Sequence, residues 1–233
     1  ATFFDLEKLS DNSMNLPHMI PEKDKFTNFA KKNGLNYEHQ IIIYDQEGFF
    51  SSTRVWFTFM FFGFKKIKIL NGGIKKWKEL RLPTTSIIKK INASNFYLKT
   101  IASDNIIRKK ELEKIIINKK SNTKIIDARP KNRYSGNVEE PRPNLRKGNI
   151  KFSINIPFDS IINNNSSIKN ISQLENFIFK KNKIEKNNII ICYCGSGVTA
   201  CNIIFALNIL GCKNVKLYDG SWAEWGKTKL SQN

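Results

Sequence analysis

Histidine is scarce in this chain of 233 residues: His18 and His39 are the only two, and both lie far upstream of the C-terminal cysteines. A cysteine hydrolase needs an imidazole paired with its thiol, so that class is disfavoured. Cysteine itself is sparse. Of the four, Cys192, Cys194 and Cys201 crowd around one loop and Cys212 follows, which is too few and too clustered for a disulfide scaffold and favours a reducing, cytoplasmic location. The paired Cys-x-x-Cys or His spacing of a zinc site is missing too, so neither a metal nor any dissociable cofactor is expected. Long apolar runs are lacking. The longest, Val55 to Phe64, is interrupted by Thr58 and falls far short of the roughly 20 residues that cross a bilayer, so it reads as a buried helix with no membrane partner. The start, Ala1-Thr2-Phe3-Phe4-Asp5, has neither an initiator Met nor a basic-then-apolar signal pattern. It reads as a trimmed or partial N-terminus, with a removed targeting peptide left open.

Acidic residues are few, 20 against 39 Lys and Arg, for a net charge of +19. Such an excess can attract nucleic acid. Here it is almost all lysine, scattered through Lys- and Asn-rich stretches, and there is neither an arginine cluster nor a nucleic-acid motif, so no nucleic-acid partner is expected. The hydrophobic fraction of 40% is ordinary for a globular chain with proper cores.

What is present concentrates near the C-terminus. Cys194-Gly195-Ser196-Gly197-Val198-Thr199 stands between a strand-like Ile189-Ile190-Ile191 and an amphipathic run from Ala200 to Leu210. A glycine-rich turn opening a helix aims backbone N–H groups and the positive end of the helix dipole at one spot. Such settings lower a cysteine pKa from about 8.5 to roughly 3.5–7.5, and the thiolate is the nucleophilic form. This corner is the candidate active site.

Residues 41–77 align without a gap on residues 189–225. The match pairs Ile41-Ile42-Ile43 with Ile189-Ile190-Ile191, Gly63 with Gly211, Gly72 with Gly220 and Trp77 with Trp225. Each copy reads strand, loop, helix, glycine stop, short strand, glycine turn and a Trp-bearing helix, so the fold class is α/β with two tandem domains, each a mainly parallel sheet flanked by helices. The second copy adds a helix from about Asp104 to Ile117 and a strand at Lys124 to Ile126. The first has no counterpart of these, and its Ala1 to Glu7 corresponds to Ser153 to Asp159, so it reads as N-terminally incomplete. The expected divisions are a non-catalytic domain at 1–85, a linker at 86–100 and a catalytic domain at 101–233. Cys194 aligns with Gln46, which leaves only the second copy with a thiol in its loop.

The tandem domains, the Cys-Gly-Ser-Gly-Val-Thr loop and the downstream Tyr218-Asp219-Gly220-Ser221-Trp222-Ala223-Glu224-Trp225 together resemble the rhodanese superfamily, and within it the sulfurtransferases that use 3-mercaptopyruvate. The likeness extends over Leu9-Ser10-Asp11, Pro17-His18-Met19, Arg54-Val55-Trp56, Asp127-Ala128-Arg129 and Glu140-Pro141-Arg142-Pro143. It implies that Cys194 becomes a persulfide, releases pyruvate and passes its outer sulfur to cyanide or to a thiol such as thioredoxin or glutathione. Gly195, Gly197, Val198 and Thr199 would complete the cradle, for which two glycines let the backbone wrap the sulfur. Arg133 and Arg142 match the family's carboxylate-binding arginines, and Arg suits a carboxylate through two-pronged contact. Surface pairing of either with Glu139 or Glu140 is the bland alternative, and Arg129 reads as structural. Thiosulfate-using members place cations directly after the cysteine; neutral Gly195 and Ser196 therefore favour mercaptopyruvate. The resemblance also maps a proton relay onto Ser196, Glu7 and His18, with Glu7 where many members have Asp. Gly148-Asn149-Ile150 departs from the usual Gly-His-Ile.

Two other readings compete. A cysteine phosphatase needs an arginine at the end of its loop, where this chain has Ala200, and no Arg follows Cys194 at all. A sulfur-carrier or regulatory module of the same fold would use Cys194 without turnover and would not need two carboxylate clamps.

Overall fold

The computed structural model describes residues 1–118 and 122–227, which divide into two compact units. The first comprises Ala1–Ser103 together with Asn163–Ile168, and the second Asp104–Ile162 together with Lys169 onward. Residues 163–168, assigned by sequence to the second domain, are therefore part of the first.

In the first unit, the helices α1 (Leu6–Leu9) and α2 (Lys23–Lys32) precede β1 (Ile41–Ile43), α3 (Ser52–Phe61), β2 (Ile67–Ile69) and α4 (Gly73–Glu79). The two strands pair in parallel, with Ile41 opposite Ile67. The apolar run flagged in the sequence is α3, buried along nearly its whole length, as a helix without a polar face must be. Phenylalanines fill the space around it: Phe26 stacks on Phe62 at 4.0 Å between centroids, and Phe64 on Phe96 at 5.7 Å. Phe96 lies in the expected linker yet is buried. Ser94 N–H donates to the Lys31 carbonyl and Ala102 N–H to that of Phe61. Residues 94–102 thus finish the first core rather than connect two domains; the Ser- and Asn-rich composition that suggested a linker conceals one anchoring aromatic. Residues 1–7, aligned by sequence with Ser153 to Asp159, form no strand.

The second unit holds β3 (Ile106–Ile107), α5 (Lys109–Ile117), β4 (Thr123–Asp127), α6 (Lys131–Tyr134), β5 (Ser153–Asn155), α7 (Ile171–Glu175), β6 (Ile189–Tyr193), α8 (Ala200–Ile209), β7 (Val215–Tyr218) and α9 (Ser221–Trp225). Its five strands are parallel in the order β3-β7-β6-β4-β5. The central β6 is apolar throughout because helices cover both of its faces. The opening helix is shorter than its apolar stripe suggested: Ile106 and Ile107 pair with β7, and α5 begins only where Arg108 N–H donates to the Glu111 carboxylate. Two adjacent β-branched residues fit a sheet edge better than a helix start. Beneath the sheet lie Tyr193, Tyr218, Trp222, Leu112 and Ile150, all fully buried.

Candidate active site

The parallel sheet delivers Cys194 to the C-terminal end of β6, where the chain must turn before α8 can pack back on the sheet. Gly197 makes that turn with φ +77, a conformation that costs a residue with a Cβ. Both backbone groups of Cys194 are tied to one turn. Its N–H donates to Ser221 Oγ at 3.2 Å, and its carbonyl accepts from Trp222 N–H at 2.9 Å. The Gly195 carbonyl accepts from Ala223 N–H, also at 2.9 Å. The negative ends of these peptides are thereby directed into α9, and the positive N-terminal end of α8 is left as the local field at the thiol.

The first unit's copy, whose loop has no cysteine, shows what this turn holds. There Asp45 Oδ2 accepts from the backbone N–H groups of Phe50, Ser51 and Ser52 at 2.9, 2.8 and 2.9 Å, so the turn encloses its own carboxylate. These donors align with Val198, Thr199 and Ala200, while Asp45 aligns with Tyr193, which is not an acid. A turn of this shape cradles an anion; the copy with the cysteine carries no internal one.

The remaining thiols are core groups. Burial pushes the Cys192 thiol well above its ordinary range and that of Cys212 upward, while Cys201 Sγ donates to the Gly197 carbonyl at 3.3 Å. All four cysteines are buried and outside any disulfide, and Cys194 stands at the strand-to-helix corner.

Cations reach the corner through a buried network. Arg129 is fully buried, with Nη2 donating to Asp127 Oδ2 and to the Gly148 carbonyl, each at 2.7 Å, and Nη1 to Glu140 Oε1 at 2.7 Å. Burial alone would lower the Arg129 pKa, but the hydrogen bonds and charge of Asp127 outweigh it and hold the group above its usual value. The other Glu140 oxygen accepts from Arg133 Nη2 at 2.5 Å. So anchored, Arg133 extends over the cysteine loop: a Cβ on Gly195 would lie 3.1 Å from Arg133 Nη2 and 3.7 Å from Arg142 Nη1. Arg142 Nη2 is 3.5 Å from Ser196 Oγ. Two guanidinium groups over the residues that follow Cys194 suit a small substrate with a carboxylate near its reacting sulfur.

The second unit therefore brings together Cys194, Gly195, Ser196, Arg133 and Arg142, with Gly197, Val198 and Thr199 forming the rest of the turn. Arg133 does pair with Glu140, as the bland alternative held, but that pairing places its free edge over Gly195 instead of diverting it. Arg129 is structural, as read. In the first unit His18 Nε2 lies 2.5 Å from Glu7 Oε1, and His18 has φ +59. Sequence reasoning missed Glu140 as the anchor of Arg133, and Ser221. The repeat alignment carried a signal for the second, since Ser221 falls opposite Gly73.

The rhodanese-like domain family matches residues 9–80 and 109–228. Among curated proteins, the chain is similar to a 3-mercaptopyruvate sulfurtransferase of Escherichia coli, 35% identical over 226 residues, covering 97% of this chain and 79% of that protein. It is also 31% identical over 241 residues to a thiosulfate sulfurtransferase of Rattus norvegicus, covering 100% of this chain and 80% of that one. Among solved structures, SseA from Escherichia coli, described as a 3-mercaptopyruvate sulfotransferase of rhodanese fold, superposes with a TM-score of 0.82 at 32% identity, covering 94% of this chain and 80% of that one.

Proposed function

The chain belongs to the rhodanese family, and on that premise we propose that it is a sulfurtransferase that takes sulfur from 3-mercaptopyruvate onto Cys194. The observation that carries the proposal is the meeting of Arg133 and Arg142 over Gly195, the residue that follows Cys194 in the turn. Their free N–H groups bind the substrate carboxylate and orient the sulfur towards Cys194. The Cys194 thiolate attacks that sulfur; an S–S bond forms, the C–S bond breaks, and its electron pair leaves on carbon as the enolate of pyruvate, which takes up a proton. The product is a Cys194 persulfide, whose terminal sulfur is an anion. The amides of the turn favour that anion as the matching amides of the first unit's copy hold the Asp45 carboxylate. An acceptor thiolate, as of thioredoxin or glutathione, or cyanide then attacks the outer sulfur and restores the Cys194 thiolate.

By the family resemblance, Ser196 moves the proton. A cytoplasmic setting is part of this proposal, supported by four cysteines that form no disulfide. Among the described residues no helix is long and apolar enough to cross a membrane.

Steady-state pyruvate release from 3-mercaptopyruvate with a thiol acceptor, run beside thiosulfate with cyanide, tests the assignment. Higher kcat/KM for mercaptopyruvate is expected. Preference for thiosulfate would shift the reading to the activity named for the rat relative, and no turnover by folded protein would favour a sulfur-carrier module.

A further inference from the structure

Ser221 is a serine where a glycine would be easier to accommodate. Its φ is +49, in the left-handed region that β-carbons disfavour, and it is fully buried. The first unit's copy has Gly73 at the matching position, with φ +60. A Cβ on Gly73 would lie 2.7 Å from the Asp45 carbonyl oxygen and 3.0 Å from Gly48 Cα, so no side chain fits there. The two copies thus share a left-handed backbone at this point, and only the copy with the cysteine places a strained residue in it.

The hydroxyl supplies the reason. Ser221 Oγ donates to the Tyr218 carbonyl at 2.9 Å, which fixes its lone pairs, and accepts the Cys194 N–H at 3.2 Å. The next two amides of the same turn, of Trp222 and Ala223, hold the carbonyls of Cys194 and Gly195. Trp222 is itself clamped, its ring 4.2 Å from the Arg129 guanidinium carbon and 4.7 Å from that of Arg146, so the turn is immobile. We propose that Ser221 is a positioning residue for Cys194, retained against backbone strain because its hydroxyl fixes the peptide plane that aims the thiol at the turn's amides. Strain of this kind persists only where its surroundings enforce it, and it gathers at functional sites. The inference rests on Cys194 as the reacting thiol but not on the identity of the sulfur donor.

Ser221→Gly and Ser221→Ala separate strain from positioning. Glycine relieves the strain and deletes the hydroxyl; alanine deletes the hydroxyl and keeps the strain. Each is compared with the parent in thermal melting and in the pH dependence of Cys194 alkylation by iodoacetamide, located by mass spectrometry with Cys194→Ser as control. The glycine variant is expected to melt within about 4 °C of the parent and above the alanine variant. Both should lose alkylation rate at neutral pH by about tenfold, with the alkaline midpoint moved up, and should lose kcat with little change in KM. A glycine variant that matches the parent's alkylation profile overturns the proposal. So does a rate loss that follows melting temperature, with alanine impaired and glycine spared. Should the parent fail to turn over 3-mercaptopyruvate, the proposed function fails, while the alkylation profiles still decide the role of Ser221.

Discussion

Gly195 and Arg133 occupy adjoining space so closely that a Cβ on the glycine would stand 3.1 Å from the guanidinium Nη2. The residue after the proposed nucleophile is thus limited in size by the cation that would receive the substrate carboxylate. Gly195→Ala is expected to press Arg133 aside and weaken one charge-assisted hydrogen bond, worth about 1.5 kcal/mol or roughly tenfold in KM for 3-mercaptopyruvate. A smaller change is expected in kcat. Steady-state kinetics check it, and an unchanged KM would remove Arg133 from the carboxylate site.

Glu140 lies between Arg129 and Arg133, its side chain 1% exposed. Glu140→Gln leaves the buried Arg129 and the partly exposed Arg133 with one fewer anion, Asp127 remaining the partner of Arg129. Breaking a buried pair costs about 3 kcal/mol at the lower end of the usual range, and the surviving Asp127 contact argues for that end. Urea denaturation should show the loss as a lower midpoint with an unchanged slope. Arg133, released from its anchor, should also bind substrate less well.

Burial holds the Cys192 thiol well above its ordinary value of 9.0 and the phenols of Tyr193 and Tyr218 above 10.0, with Asp127 and Glu224 adding negative charge near the two phenols. In the unfolded chain these groups lose their protons near their ordinary values. Above about pH 8.5 the folded protein therefore binds more protons than the unfolded one, so the stability they contribute is complete below that pH and declines as pH rises. The melting temperature should fall steadily from about pH 8.5 to 10.5, with a shallower slope in Tyr193→Phe. A flat profile would contradict the burial of these groups as ionisable partners of the core.

Much of this arrangement is legible in the sequence, because the repeat of 41–77 at 189–225 exposes the strand–loop–helix unit twice and the cysteine once. Strand β6 and helix α8 follow from their apolar periodicity, and the site's thiol and arginines from loop chemistry and family likeness. What escaped depends on tertiary partners. Ile106-Ile107 read as a helix start, since only the edge of β7 makes them a strand. Phe96 looked like linker because its aromatic neighbours Phe26, Tyr37 and Phe64 come from distant segments, and residues 163–168 gave no local sign of belonging to the first unit. Glu140 looked like a competitor for Arg133, because sequence shows that two charges can meet but not that one edge of a guanidinium stays open. Ser221 lacked any local sign of a left-handed backbone; only its alignment with Gly73 hinted at one.

The most direct test of the central claim is a single turnover of 3-mercaptopyruvate without acceptor, followed by intact-protein mass spectrometry and pyruvate assay. The account predicts one pyruvate per chain and a protein heavier by one sulfur atom, located on Cys194 and discharged by added thiol, with neither product in Cys194→Ser. Pyruvate release by Cys194→Ser, or turnover that leaves no sulfur on Cys194 of the parent, would contradict it.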